Sequence, residues 1–153
     1  MSRREQIKLT EQEAAQFLEE QRVVICATNG PRGWPHLMPL WYVIREQEIW
    51  AWTYAKSQKV RNLERDARAT LQVEDGVEYA ELRGVMIEAQ TVIHRETEQV
   101  TDVGTELFRR YGQDTTGPEF LEAVNAQAKK RVALQFQPQW TTSWDHRKLA
   151  GVY

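Results

Sequence analysis

The apolar positions of the chain fall into two periods, and the period changes along its length. After polar residues 1–9, Ala14, Phe17 and Leu18 recur at helical spacing. Thr10-Glu11-Gln12-Glu13 ahead of them reads as a capping box, so a helix is predicted over residues 11–20. From Val23 to Thr28 the pattern is a short apolar strand. Asn29 to Gly33 is a turn. A second strand is predicted over Leu37–Arg45, with Pro39 restricting it to an edge or a bulge. Glu46-Gln47-Glu48 reads as a hairpin turn, and Ile49–Tyr54 returns as a third strand, aromatic and β-branched. A basic helix is predicted from Ser57 to Arg65, then a strand over Ala69–Glu74. Asp75-Gly76 is a hairpin signal. A long strand follows from about Tyr79 to His94, with Gly84 midway marking a bend or a close approach.

Helical spacing returns at Val100, Val103, Leu107, Phe108 and Tyr111, giving a helix over 96–111 that Gly112 ends. Gly117-Pro118 starts another, with Phe120, Leu121, Val124 and Ala128 on one face. Val132–Phe136 reads as a last core strand and Trp140–Trp144 as a separate segment after Pro138. The first strands follow one another without crossover helices. The sum is a mainly β domain of six to seven antiparallel strands with inserted helices, expected to form a small barrel over residues 1–153.

Composition removes several classes. With 41% hydrophobic and 27% charged residues at a net charge of −2, the chain is ordinary for one soluble domain and offers no nucleic-acid footprint. Its single cysteine, Cys26, excludes a disulfide framework. No apolar run is long enough to span a membrane. The start lacks a signal-peptide core, so a cytoplasmic protein is expected. His36, His94 and His146 lie far apart and form no zinc-binding pair, so no metal is expected. Neither standard nucleotide loop is present. Hard chemistry would therefore need a borrowed cofactor.

One stretch offers a seat for it. Lys56-Ser57-Gln58-Lys59 stands where the third strand meets a helix, so a hydroxyl and an ammonium join the unpaired N–H groups of a first turn. That is a place for a phosphate. The same residues also read as a plain cap with a solvated lysine. Trp41-Tyr42 and Trp50 to Thr53 would lie close together on neighbouring strands. They would flank a flat cofactor or fill an aromatic core, and spacing leaves both open.

Thr53 to Leu63, T-Y-A-K-S-Q-K-V-R-N-L, resembles the T-x-x-x-S-x-K-x-x-x-L phosphate segment of the pyridoxamine 5′-phosphate oxidase-like flavin-binding split-barrel superfamily. The flanks R-G-W-P-H-L-M-P-L-W-Y-V and R-N-L-E-R-D-A-R-A-T-L-Q-V resemble its flavin/deazaflavin oxidoreductase group B branch, as does S-W-D-H-R-K-L near the end. The resemblance implies a homodimer of split β-barrels with cofactor sites between subunits. It also implies hydride transfer with coenzyme F420, or alternatively FMN, to a small organic acceptor. Ser57, Lys59 and Arg61 would hold phosphate. Met38, Pro39, Leu40 and Trp41 would lie beside the ring, with Thr53 close to it. Trp144 or Lys148 of a partner subunit would close the site. Tyr42 is the nearest candidate proton donor. Lys56, Arg61 and Arg65, joined by Arg147 and Lys148, would attract the anionic tail of F420. A non-catalytic binder of FMN, F420 or haem is the alternative class. The C-terminal arginine- and histidine-bearing segment of the oxidases proper has no counterpart, so the vitamin substrate is not implied.

Overall fold

The computed structural model describes residues 1–151. Seven strands form one antiparallel sheet: β1 Val24–Asn29, β2 Pro35–Leu40, β3 Val43–Arg45, β4 Glu48–Tyr54, β5 Arg68–Asp75, β6 Arg83–His94 and β7 Arg131–Asp145. Five helices accompany them: α1 Arg3–Gln6, α2 Glu11–Glu20, α3 Gln58–Arg65, α4 Thr97–Arg110 and α5 Pro118–Ala128. No helix among the described residues is long and apolar enough to cross a membrane.

The strand order is β2-β1-β5-β6-β7-β4-β3. β2 and β3 thus stand at opposite edges, yet only Trp41 and Tyr42 separate them in sequence. Three Cα steps reach at most about 11 Å. A flat sheet of seven strands is far wider, so the sheet must curl until its edges meet. The result is a curled split barrel.

That closure corrects the reading of Leu37–Arg45 as one strand: it is two, each with a different neighbour. Pro39 sits in β2, opposite Ile25, and β2 pairs only with β1. The edge position anticipated for a residue without an N–H is therefore met. β7 is one strand, where two segments were expected. Ala89 pairs with Pro138 and Glu88 with Trp140, so Gln139 is an extra residue. This bulge lets Pro138 sit inside a central strand. Residues 1–9 are also more ordered than their polarity suggests. Ser2 and Glu5 form a capping box, the Asp145 N–H donates to the Ile7 carbonyl at 2.7 Å, and the Leu9 N–H donates to Ser143 Oγ at 3.1 Å.

Both faces of β4 are covered. Ile49 and Ala51 join the barrel interior with Val24, Leu71, Val85, Leu134 and Phe136. Trp50 and Trp52 point the other way, into a second core beneath α4 and α5 with Val100, Val103 and Leu107. There Trp50 stacks on His94 with ring centres 4.9 Å apart, and Trp52 meets Phe108 edge-on at 5.8 Å. These two tryptophans are core, which answers the open question of their role.

Candidate functional site

α3 begins where β4 ends, so its first turn lies at one rim of the barrel. Ser57 is its N-cap by backbone conformation, but its side chain makes no capping bond. Its Oγ is buried without a hydrogen-bond partner. The plain-cap reading fails there, since a cap bonds the N–H groups it faces. Two residues on, Lys59 is only 6% exposed, and its Nζ donates to Thr53 Oγ1 at 2.8 Å. No carboxylate pairs with it among the described residues. Burial pulls its pKa below the ordinary lysine value, and the nearby Arg131 guanidinium lowers it further. The solvated-lysine reading fails too.

Arg131 was not anticipated. It opens β7 opposite Tyr54, and its guanidinium lies over the rings of Tyr54 at 4.1 Å and Trp52 at 4.6 Å. Its Nε is buried and has no partner. Asn62 was missed as well: fully buried, it donates to Thr28 Oγ1 at 3.0 Å and accepts from Gln58 Nε2 at 2.8 Å, fixing α3 against β1. The Lys129-Lys130-Arg131 run ahead of an apolar strand was the only available signal for the first. Nothing marked the second. A buried hydroxyl without a partner, a buried ammonium without a counter-ion and a helix N-terminus are together the groups that an anion would satisfy. The residues present fit a phosphate.

The other candidates divide. Lys56 and Arg61 are exposed and unpaired by any carboxylate among the described residues. Arg65 is tied to the Asn29 carbonyl at 2.6 Å, and Arg147 to Asp145 at 2.7 Å. Lys148 is bound within its own chain, to Glu13 at 2.6 Å and the Lys8 carbonyl at 2.9 Å. The Trp144 ring covers Gly84 of its own chain. Along β2, Met38 and Leu40 face the side of Cys26 and Val24, whereas Pro39 lies opposite Ile25 on the other face. The three therefore do not present side chains to one surface. Thr53 is buried, with Oγ1 occupied by Lys59.

Tyr42 is corrected. It is fully buried, and its hydroxyl donates to the Leu18 carbonyl at 2.6 Å. The Arg110 guanidinium lies 4.5 Å from its ring centre. Burial pushes its pKa up to about 12, which makes it a poor proton donor as well as an inaccessible one. Tyr42 latches α2 to the barrel. Tyr42→Phe is expected to cost about 1 kcal/mol, since the Leu18 carbonyl keeps its Arg110 bond. Thermal melts read that loss, and ligand titration is expected to show no change.

A family model described as pyridoxamine 5′-phosphate oxidase matches residues 10–145. The chain belongs to the pyridoxamine 5′-phosphate oxidase family. Among solved structures of similar fold is a conserved hypothetical protein, Rv2991, from Mycobacterium tuberculosis. It is 39% identical over all of this chain and 95% of its own, with a TM-score of 0.90. An F420 reductase is 20% identical over 87% of this chain and 98% of its own, with a TM-score of 0.66. HutZ, a haem storage protein from Vibrio cholerae, is 17% identical over 88% and 96%, with a TM-score of 0.68. The last two share the fold alone. No curated protein matches the sequence. Within the pyridoxamine 5′-phosphate oxidase fold, two of the four buried side-chain atoms without partners among the described residues, Ser57 Oγ and Arg131 Nε, lie on residues beside Lys59 or at the start of α3; the others are on His36 and Thr91.

Proposed function

We propose that this member of the family is an F420H2-dependent oxidoreductase that transfers a hydride between the deazaflavin and a small organic acceptor, working as a homodimer with its sites between subunits. The observation that carries the reading is Ser57 Oγ, buried and unpartnered, two residues ahead of a buried ammonium with no counter-ion. Ser57, the N-terminus of α3 and Lys59 hold the phosphate, with Arg61 at its solvent side. β2 runs away from this rim, so Met38, Leu40 and Trp41 line the path of a ring attached to that phosphate. The cofactor, once bound, supplies the hydride. The chain's own residues bind, orient and exclude water, and none is needed as a nucleophile. Lys56 and Arg61, exposed and unpaired, face solvent beyond the phosphate seat, where an anionic tail would lie. The fold shared with an F420 reductase supports the same choice.

A second reading has its own observation. Three of the five cations expected to attract that tail are occupied within the chain: Arg65, Arg147 and Lys148. FMN, which ends at its phosphate, needs none of them. Paired titrations with F420 and FMN, followed by tryptophan fluorescence over a salt series, separate the two. Tighter F420 binding that weakens with salt is expected; tighter FMN binding, or F420 binding indifferent to salt, rejects the choice. Turnover with the reduced cofactor distinguishes an enzyme from a binder of flavin, F420 or haem.

A further inference from the structure

The β1–β2 hairpin and the start of α3 enclose a hollow of about 240 Å3. Pro31, Arg32, Trp34, His36, Leu37 and Gln58 line it, whereas Ser57 and Lys59 do not. Backbone and side-chain bonds hold these walls in place. The Gly30 N–H donates to the Trp34 carbonyl at 3.0 Å, so the hairpin folds back sharply just before β2. His36 stands opposite Thr28 in the β1–β2 ladder. Thr28 Oγ1 accepts from Asn62 of α3, and Asn62 accepts from Gln58 at 2.8 Å. That relay ties the start of α3 to the strand pair. Two groups in the hollow are uncommitted. Nδ1 of His36 is buried and has no hydrogen-bond partner. Arg32 is exposed, and no carboxylate pairs with it among the described residues. Buried polar atoms are nearly always satisfied, so one left over marks a missing partner. The other walls are apolar: Pro31, Leu37 and the indole of Trp34, a residue 74% exposed.

We propose that this hollow binds a small carboxylate carried on a flat apolar body, at a site separate from the phosphate seat. The Arg32 guanidinium offers parallel N–H donors to the two carboxylate oxygens. His36 adds a donor in the tautomer that protonates Nδ1. Arg32 is the one lysine or arginine in the lining, so a single negative charge suits the hollow better than a dianion. Pro31, Leu37 and Trp34 take the apolar body. The volume lies below the roughly 300–1,000 Å3 of pockets for drug-sized ligands, so the guest is small. The site goes beyond the cofactor reading and does not depend on it.

The probe is benzoate, titrated into the full chain and followed by the NMR signals of the Trp34 indole N–H and the Gln58 side-chain amide. Saturable shifts of both are expected with benzoate, and none with benzyl alcohol, its neutral counterpart. Arg32→Gln is expected to weaken benzoate about tenfold or more, the scale of one charge-assisted hydrogen bond. His36→Leu is expected to weaken it similarly, and His36→Asn, whose amide nitrogen stands near the place of Nδ1, to keep most of the affinity. Ser57→Ala and saturating inorganic phosphate are expected to leave benzoate binding unchanged. If His36→Leu fails to fold by circular dichroism, Arg32→Gln decides alone, because that side chain is exposed on the hairpin. Shifts that do not saturate, equal binding of benzyl alcohol, or indifference to Arg32→Gln overturns the carboxylate site. Displacement of benzoate by inorganic phosphate also overturns it, by making the hollow part of the phosphate seat.

Discussion

Lys59→Met is expected to make the ligand-free protein melt at a higher temperature and to bind its cofactor far more weakly. A buried ammonium bonded only to a hydroxyl has lost most of its hydration and gained no opposite charge. Methionine fills similar space with no charge to desolvate, so the fold gains. The phosphate loses a charge-assisted hydrogen bond worth roughly 1.5–3 kcal/mol, which is about 10- to 150-fold in affinity. Thermal melts and titrations on the same sample read both effects. A lower melting temperature with unchanged affinity would return Lys59 to a purely structural role. The same group sets a pH dependence. Its folded pKa lies below its value in the unfolded chain. Between the two, the unfolded state binds more protons, so ligand-free stability rises with pH. Affinity for a phosphate falls over that window, at a lower pH than an ordinary lysine would give.

How far this was legible follows from the scale of each signal. The phosphate segment could be read because Ser57, Lys59 and a helix start are local, all within a few residues. That Lys59 is buried could not, because the groups that bury it come from β1, β4 and β7. Arg131 was invisible for the same reason: its place beside Lys59 depends on the pairing of β7 with β4. Helices α2, α4 and α5 and most strands were readable from period; α1 was not, because its four residues carry no apolar face. The break at Trp41-Tyr42 was not, since both halves are apolar and extended and differ only in their partners. Tyr42 was misread because adjacency to an aromatic cluster says nothing about which way a hydroxyl points.

Gly84→Ala is expected to be among the most damaging small substitutions in the chain. A Cβ there would stand 2.3 Å from Trp144 Cζ2 and within 2.9 Å of two further atoms of the same ring. The ring is a rigid plate on the adjoining strand, so it must swing as a unit. Overpacking of this kind costs about 1–3 kcal/mol. At roughly 2–4 °C per kcal/mol for a chain of this size, the melting temperature should fall by up to about 12 °C. Adding Trp144→Leu should recover part of the loss, since the two positions touch and their effects do not add. Equal melting of Gly84→Ala and wild type would show that the ring moves freely. The sequence pointed to Gly84 as a close approach, and the approaching group is a side chain on β7, not another backbone.

The position of β7 also orders events during synthesis. It is the last of these seven strands to leave the ribosome, yet it lies inside the sheet, between β6 and β4. Until residues 131–145 emerge, β4 and β6 each keep an open edge, and the barrel cannot close around its core. A nascent chain stalled before that point would carry two unsatisfied strand edges, the form most prone to pairing with a neighbour. Emergence of β7 and closure of the barrel are therefore one event, and translation that pauses just before β7 should load chaperones more heavily than translation that pauses just after it.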